Sequence, residues 1–483
     1  MGKRGRARRR RGDGAPTVPR NVLNVFETAE KLLPELQGSA DLGEAISKRR
    51  AELRSLMAPF DAVHLLGQLS MSEMMLDADT YRETEHPGRS FVVELAAAEL
   101  LTRTGRAGTS EHTPAIDARP LGEIRRLTHE AVLLESFRRY RSAGAFTSPE
   151  GAARGRTAIQ NLMLRNPGWP WQEHSVLRGL FGEQRFSEVL KHDLGFDVEE
   201  AIRCAEAPLS LLPQQTDNQM HNAGAPVEVF DETHPGFAWA SASLGGWQEA
   251  PAQQTAMYMP VMWAMNHIGD ALLLTPAALA EAATVDEETA AAFLATLPQP
   301  LGQPGDEEWF SAAERVRYQP YLKAADDAYL LTVPGNDVWA LRGLFEACLK
   351  QTEAYIVHRG RWLEERAGEM IGQAISLDEQ HPSVKFTFSD DAGTTVAGEI
   401  DQLIRCGDTV LSVEAKSATL RPGARRGGDA LISHLRKTLT KAATQGTNAR
   451  EALRRTDTIG GCTTCCTACT SRTSRPAGSA SFR

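Results

Sequence analysis

The sequence predicts a mostly α-helical N-terminal region followed by a C-terminal α/β module. Three observations carry this reading. Alanine is abundant and aromatic residues are few, which favours helix. Apolar residues recur at three- and four-residue spacing through most of the chain. One stretch, Gly398 to Lys416, instead alternates with period two. With 483 residues, 42% of them hydrophobic, there is material for two to three domains.

Lys3, Arg4, Arg6 and Arg8 to Arg11 have no apolar residue to anchor them. Residues 1–20 therefore read as a disordered basic arm, with non-specific phosphate binding as the sharper alternative. Helical spacing follows at Val22–Leu36, Leu42–Leu56, Ala62–Met75, Phe91–Leu101 and Ile124–Tyr140, with Thr104–Pro120 as a connector. It resumes over Ile159–Cys204, broken at Pro167-Gly168-Trp169-Pro170. These segments make residues 21–206 one helical region.

From Pro208 to Gln254 the chain is rich in Pro, Gln, Asn and Gly and reads as a long irregular connection. Thr275-Pro276 opens a helix, and Asp286 is an N-cap for a second. Leu279, Ala280, Val285, Ala290 and Phe293 sit where a helix-turn-helix keeps its core. The second helix, however, opens with Asp286, Glu287 and Glu288, which would repel phosphates, so a packing pair is favoured over a DNA reader. Residues 207–297 are thus connection plus helical pair. Residues 298–352 hold a Pro/Gly linker to Asp306, a hairpin over Tyr321–Val333 turning at Ala325-Asp326-Asp327, and a short helix over Val338–Leu349.

The segment 353–457 carries the chemistry. A helix is expected from Glu353 to about Ile375, with Ile356, Trp362, Leu363, Ala367, Met370 and Ile371 as its apolar stripe. Gly360, Glu364, Ala367 and Ile371 share one line, so small residues beside Glu364 would let a sheet approach. A strand follows at Val384–Phe388, then a turn at Asp390-Asp391-Ala392-Gly393. In the next hairpin, a Gly407-Asp408 turn places Cys406 opposite Thr409, Asp401 opposite Glu414 and Glu399 opposite Lys416. Period-two alternation puts those four on one face, and Ile400, Ile404, Leu411, Val413 and Ala415 on the other. Two acids facing each other destabilise a strand pair unless a cation lies between them, and a divalent metal is the first candidate. The alternative is purely structural: a Glu399–Lys416 ion pair, with Asp401 and Glu414 splayed into water. A glycine-rich loop from Arg421 to Gly428 leads to a helix over about Ala430–Leu453 that presents His434, Lys437, Lys441 and Gln445.

Glu364 after Gly360, Gly398-Glu399-Ile400-Asp401, Val413-Glu414-Ala415-Lys416 and Lys441-Ala442-Ala443-Thr444-Gln445 together resemble the PD-(D/E)xK nuclease superfamily, in its nuclease-related and restriction-endonuclease-like branches. The resemblance covers about Glu353–Leu453. It implies a restriction-endonuclease-like αβββα core, here lacking the final strand, and Mg²⁺- or Mn²⁺-dependent, endonuclease-type hydrolysis of DNA phosphodiesters, in phage defence or DNA processing. Hard oxygen ligands from Asp401, Glu414 and the Ala415 carbonyl suit such an ion. Lys416 would orient or activate water and stabilise developing charge. By resemblance, Glu364 would bind or position a second metal or its water, and Gln445 would brace the site. Glu399 is either a partner of Lys416 or a ligand. Arg421, Arg425, Arg426, Lys437 and Lys441 are candidate DNA contacts, a solvated loop being the alternative for the three arginines.

From Thr458 onward the composition turns to Gly, Cys, Thr, Ser and Arg, and residues 458–483 are expected to be a disordered tail. A reading-frame change or a truncated end would leave such a segment. Cys462, Cys465, Cys466 and Cys469 crowd there without a helix, knuckle or histidine, which disfavours structural zinc. Cys204, Cys348 and Cys406 stand singly, as reduced thiols do. No apolar run approaches the ~18 residues of a bilayer span and no signal-peptide core is present, so the expected location is cytoplasmic, without a membrane partner. Net charge of −9 excludes a basic nucleic-acid coat. Two other functions fit the composition: a nuclease-fold protein that binds nucleic acid or regulates without cutting, and a helical adaptor working through its N-terminal region. A homo-oligomer or defence-system partner proteins are compatible with each.

Overall fold

The structure is a computed structural model describing residues 41–84, 90–109, 118–163, 170–223, 266–302, 308–333, 336–407, 409–416 and 427–455, with 32, 116, 264 and 424 described singly. Apart from Leu32, the expected Val22–Leu36 helix lies outside the described residues. So do the basic arm, Arg421, Arg425 and Arg426, and the tail from Thr458 with its four cysteines. The chain is mostly helical, with one small mixed sheet and one antiparallel three-stranded sheet. No described helix is long and apolar enough to cross a membrane.

The described residues of Met1–Arg138, Gln219–Ala271 and Leu301–Ala313 form one compact unit. Its main helices are α1 (Leu42–Met57), α2 (Ala62–Thr84), α3 (Ser90–Leu100) and most of α4 (Ala118–Ser142). Asp41 caps α1 by accepting from the Gly43 N–H at 2.8 Å, the side-chain satisfaction a helix start demands. Glu99 is buried, and Arg50 and Arg54 both donate to it, which offsets the cost of removing its charge from water.

The second unit comprises the described residues of Arg139–Asn218, Leu272–Pro300 and Glu314–Arg483, so the segment from Glu353 shares it with earlier helices. Those helices are α5 (Pro149–Met163), α6 (Pro170–Phe181), α7 (Gln184–Leu194) and α8 (Val198–Ala223). The irregular connection expected from Pro208 is instead helix as far as Ala223, running through Pro208 and Pro213. Each proline removes one helical hydrogen bond. Burial of Cys204, Ala205 and Ala207 keeps this part of the helix packed, and the Ser210 hydroxyl donates to the Ala207 carbonyl at 2.8 Å. Tertiary packing overrides the local breaker.

Thr275 and Asp286 do cap α9 (Pro276–Ala283) and α10 (Glu287–Thr296), accepting from Ala278 N and Thr289 N at 3.2 and 2.7 Å. Leu279, Ala280, Ala290 and Phe293 are buried in the unit's core. The expected linker contains a strand: β2 (Pro298–Pro300) pairs in parallel with β3 (Tyr321–Ala325). In the order β1-β4-β3-β2, with β1 at Leu273–Leu274 and β4 at Ala328–Leu331, β2 is an edge, where proline is tolerated. The β3–β4 hairpin pairs Ala325 with Ala328 and so turns on Asp326-Asp327. Helix α11 (Trp309–Tyr318) is an element beyond those expected, and α12 (Asn336–Leu349) covers the expected Val338–Leu349 helix.

Helix α13 (Glu353–Ala374) departs from its expected stripe. Tyr355 and Gly368 are its buried residues, while Ile356 and Met370 are each 58% exposed. The helix serves two different partners along its length. Near its start Tyr355 stacks on Phe181 and meets Phe186 edge-on, and Trp362 crowds against Gly179. Farther on it lies on the second sheet, whose order is β5 (Glu379–Ser389), β6 (Thr395–Cys406), β7 (Thr409–Val413). The small residue that admits the sheet is Gly368, not Gly360, which has no neighbour within 4 Å of a virtual Cβ.

The β6–β7 register runs from Cys406↔Thr409 to Gln402↔Val413, the pairing expected for this hairpin; Asp408 lies outside the described residues. Gly407 has φ 57°, the sign this tight turn requires. Strand β5 begins five residues before the expected Val384 and pairs along nearly all of β6. Ile400 and Ile404 are buried, whereas Leu411 is exposed, so the residues expected opposite the acids are not all covered. Helix α14 (Asp429–Arg455) adds Ala449, Ala452 and Leu453 to the core formed by Val384, Phe386, Phe388, Ile400 and Leu403.

Candidate active site

The β6–β7 ladder ends at Gln402↔Val413, and Glu414, Ala415 and Lys416 continue just beyond it. The Asp401 side chain takes over there: its Oδ2 accepts from the Ala415 N–H at 2.7 Å. The Lys416 ammonium lies 2.9 Å from Glu414 Oε2 and 3.7 Å from Asp401 Oδ2. The cation that the opposed acids require is thus supplied by the chain itself. The expected Glu399–Lys416 pair gives way to these contacts, because residues 414–416 have left the strand geometry that would set Lys416 opposite Glu399.

Glu364 reaches the same cluster from α13. Its carboxyl is held above the ordinary carboxylate range, first by burial and then by the charges of Asp401, Glu399 and Glu414, with Lys416 opposing. Glu414 is raised as well, by burial first; the Lys416 hydrogen bond opposes this and the neighbouring Asp401 carboxylate adds to it. Glu364, Glu399, Asp401, Glu414 and Lys416 therefore share one electrostatic site, built from one helix, the middle of β6 and the residues just past β7.

Gln445 projects from α14, half-buried, and its Oε1 is an enclosed acceptor with no hydrogen-bond partner; Glu414 Oε1 is another. Lys437 and Lys441 are exposed on the same helix. Among the described residues no group of three or more His, Cys, Asp or Glu side chains is placed to hold a metal ion. In donor chemistry the cluster nevertheless fits a hard divalent cation: it offers carboxylate oxygens, with the buried, unpartnered Glu414 Oε1 among them.

Gln402 was not singled out by the sequence. It is 2% exposed, accepts from Gln380 Nε2 at 2.9 Å, and donates from Nε2 to the Glu364 backbone carbonyl at 3.1 Å. A polar residue between Ile400 and Ile404, on a face otherwise read as apolar, was the available signal.

No family model matches this chain, and neither a curated protein nor a solved structure does.

Proposed function

We propose that the protein is a metal-dependent nuclease that hydrolyses DNA phosphodiester bonds, on a restriction-endonuclease-like αβββα core formed by α13, β5, β6, β7 and α14. The observation that carries this reading is the convergence of the Asp401 and Glu414 carboxylates on the Lys416 ammonium, with Glu364 arriving from a separate helix. Asp401, Glu414, the Ala415 carbonyl and Glu364 would hold Mg²⁺ or Mn²⁺. Bound there, the ion would supply charge neutralisation at phosphorus and acidify the attacking water.

The chain's own groups divide the remaining work. Lys416 orients the water and stabilises charge developing on the phosphoryl oxygens. Asp401, fixed by the Ala415 N–H, holds one carboxylate oxygen in place before substrate arrives. Glu364 and Glu414, both reluctant to ionise, lose that reluctance when positive charge enters the cluster. Lys437 and Lys441 would meet the phosphate backbone along α14.

A second reading has its own support. Because Lys416 already neutralises the facing acids, a nuclease-fold protein that binds nucleic acid without cutting is also consistent with the site. Incubating the full chain with plasmid and single-stranded DNA, with and without Mg²⁺ or Mn²⁺, separates the two. Metal-dependent cleavage that Lys416→Ala abolishes supports the nuclease; DNA binding without cleavage at any metal concentration supports the second reading.

A further inference from the structure

The Gln402 amide joins three elements at one point. Its Oε1 takes the Gln380 Nε2 hydrogen bond from β5, and its Nε2 donates to the Glu364 carbonyl on α13. That carbonyl also closes the helical turn to Gly368, the residue four positions on. Gly368 is where α13 touches the amides: a Cβ there would run into Gln380 Nε2 and come within 2.8 Å of Gln402 Cδ. Gln380 could swing away from such a methyl, but Gln402 is enclosed and could not without breaking its bonds. The contact is therefore built from a matched set, an amide on β6 and a missing side chain on α13.

We propose that Gln402 is a positioning residue, which locks the turn of α13 bearing Glu364 onto β6 and so holds the Glu364 carboxylate beside Asp401. Gln402 directly follows Asp401 on β6. One residue pair thus ties both acids to a common frame: Asp401 by the strand, Glu364 by the amide. Without the amide, α13 would still be retained through Tyr355, whose ring contacts lie about two and a half turns nearer its start than Glu364. The loss would be of registration, not of the helix. A buried amide on an apolar face is costly unless fully bonded, and here both its ends are.

The inference rests on the nuclease reading for its consequence, and its test carries a readout that does not. Gln402→Met keeps the volume and removes both hydrogen bonds. Crystal structures of wild type and Q402M should show the Glu364 turn displaced from β6, with Tyr355 still on Phe181; an unmoved Glu364 carboxylate overturns the proposal. For Mn²⁺ alone, affinity should fall about 10- to 100-fold in Q402M, the range for residues that orient ligands. The E364A loss should be at least as large, and the double variant no worse than E364A alone, since Gln402 acts only through that ligand. Additive losses would overturn it. Gly368→Ala should reproduce the displacement if Q402M fails to fold. In cleavage assays kcat should fall with KM for DNA unchanged. Wild type that neither binds Mn²⁺ nor cuts would end the nuclease reading, while the structural comparison still decides the role of Gln402.

Discussion

Asp401 Oδ2 accepts a 2.7 Å hydrogen bond from the Ala415 N–H, one step past the last paired residues of β6 and β7. A side chain here does what the backbone ladder does elsewhere, so Asp401 has a structural duty beside its charge. The two duties separate by substitution. Asp401→Asn keeps an oxygen for the Ala415 N–H and removes the charge; Asp401→Ala removes both. D401N should abolish cleavage and leave the melting temperature nearly unchanged. D401A should abolish cleavage and also lower stability by about 1–3 kcal/mol, the cost of an orphaned donor. Equal melting temperatures for the two variants would remove the structural role.

Lys416 sits where positive charge is needed, so it both assists and competes with any cation that enters. Lys416→Met keeps the length of the stem and deletes the ammonium. Cleavage should drop about 10²- to 10⁴-fold, the usual contribution of a group handling a proton in the transition state. Mn²⁺ affinity, measured by calorimetry, should rise severalfold because Asp401 and Glu414 lose their resident counter-charge. A weaker affinity in K416M would mean that Lys416 organises the ligands and does not occupy their place.

The raised carboxyls fix the direction of the pH dependence. Glu364 and Glu414 both bind their protons more tightly in the folded chain than in the unfolded one, burial being the first cause for each. Their contribution to stability is then greatest below the ordinary glutamate value of about 4.3 and declines as pH rises through their folded values. An entering cation must displace those protons, so Mn²⁺ affinity should increase with pH over the same window and then level off. Calorimetry in two buffers of different ionisation enthalpy should show proton release on binding below the plateau and none above it.

The hairpin was legible because its period is two and its turn is short: a one-residue slip would have moved Ile400 and Ile404 to the acidic face. The caps at Thr275 and Asp286 were legible for a similar reason, since each is a local device of a few residues. What depended on distant partners was not. Nothing local says that the helix continues through Pro208 and Pro213, because the burial that holds it, at Cys204, Ala205 and Ala207, comes from the rest of the core. Likewise, α13 changes partners partway along, so no single apolar stripe describes it. Choosing Gly368 over Gly360 requires knowing where Gln402 lies. The partner of Lys416 depends on the strand stopping at Val413, a point that no local pattern marks.

Asp337 offers a test of the core that is independent of the site. It is fully buried; Tyr321 OH donates to its Oδ2 and the Val338 N–H to its Oδ1, each at 3.0 Å. Burial is the dominant influence and pushes this carboxyl up to about 7, the hydrogen bonds opposing it. An acid raised in the folded state holds its proton there at pH values where the unfolded chain has released it. Stability should therefore fall as pH rises from about 4, the unfolded value, to about 7, and be flat with respect to this group beyond. The ceiling for the change is on the order of 4 kcal/mol, from roughly three pKa units at about 1.4 kcal/mol each. Asp337→Asn keeps an acceptor and cannot ionise, so its advantage over wild type in urea denaturation should be larger at pH 8 than at pH 5. An equal difference at both pH values would show that Asp337 does not titrate in this range.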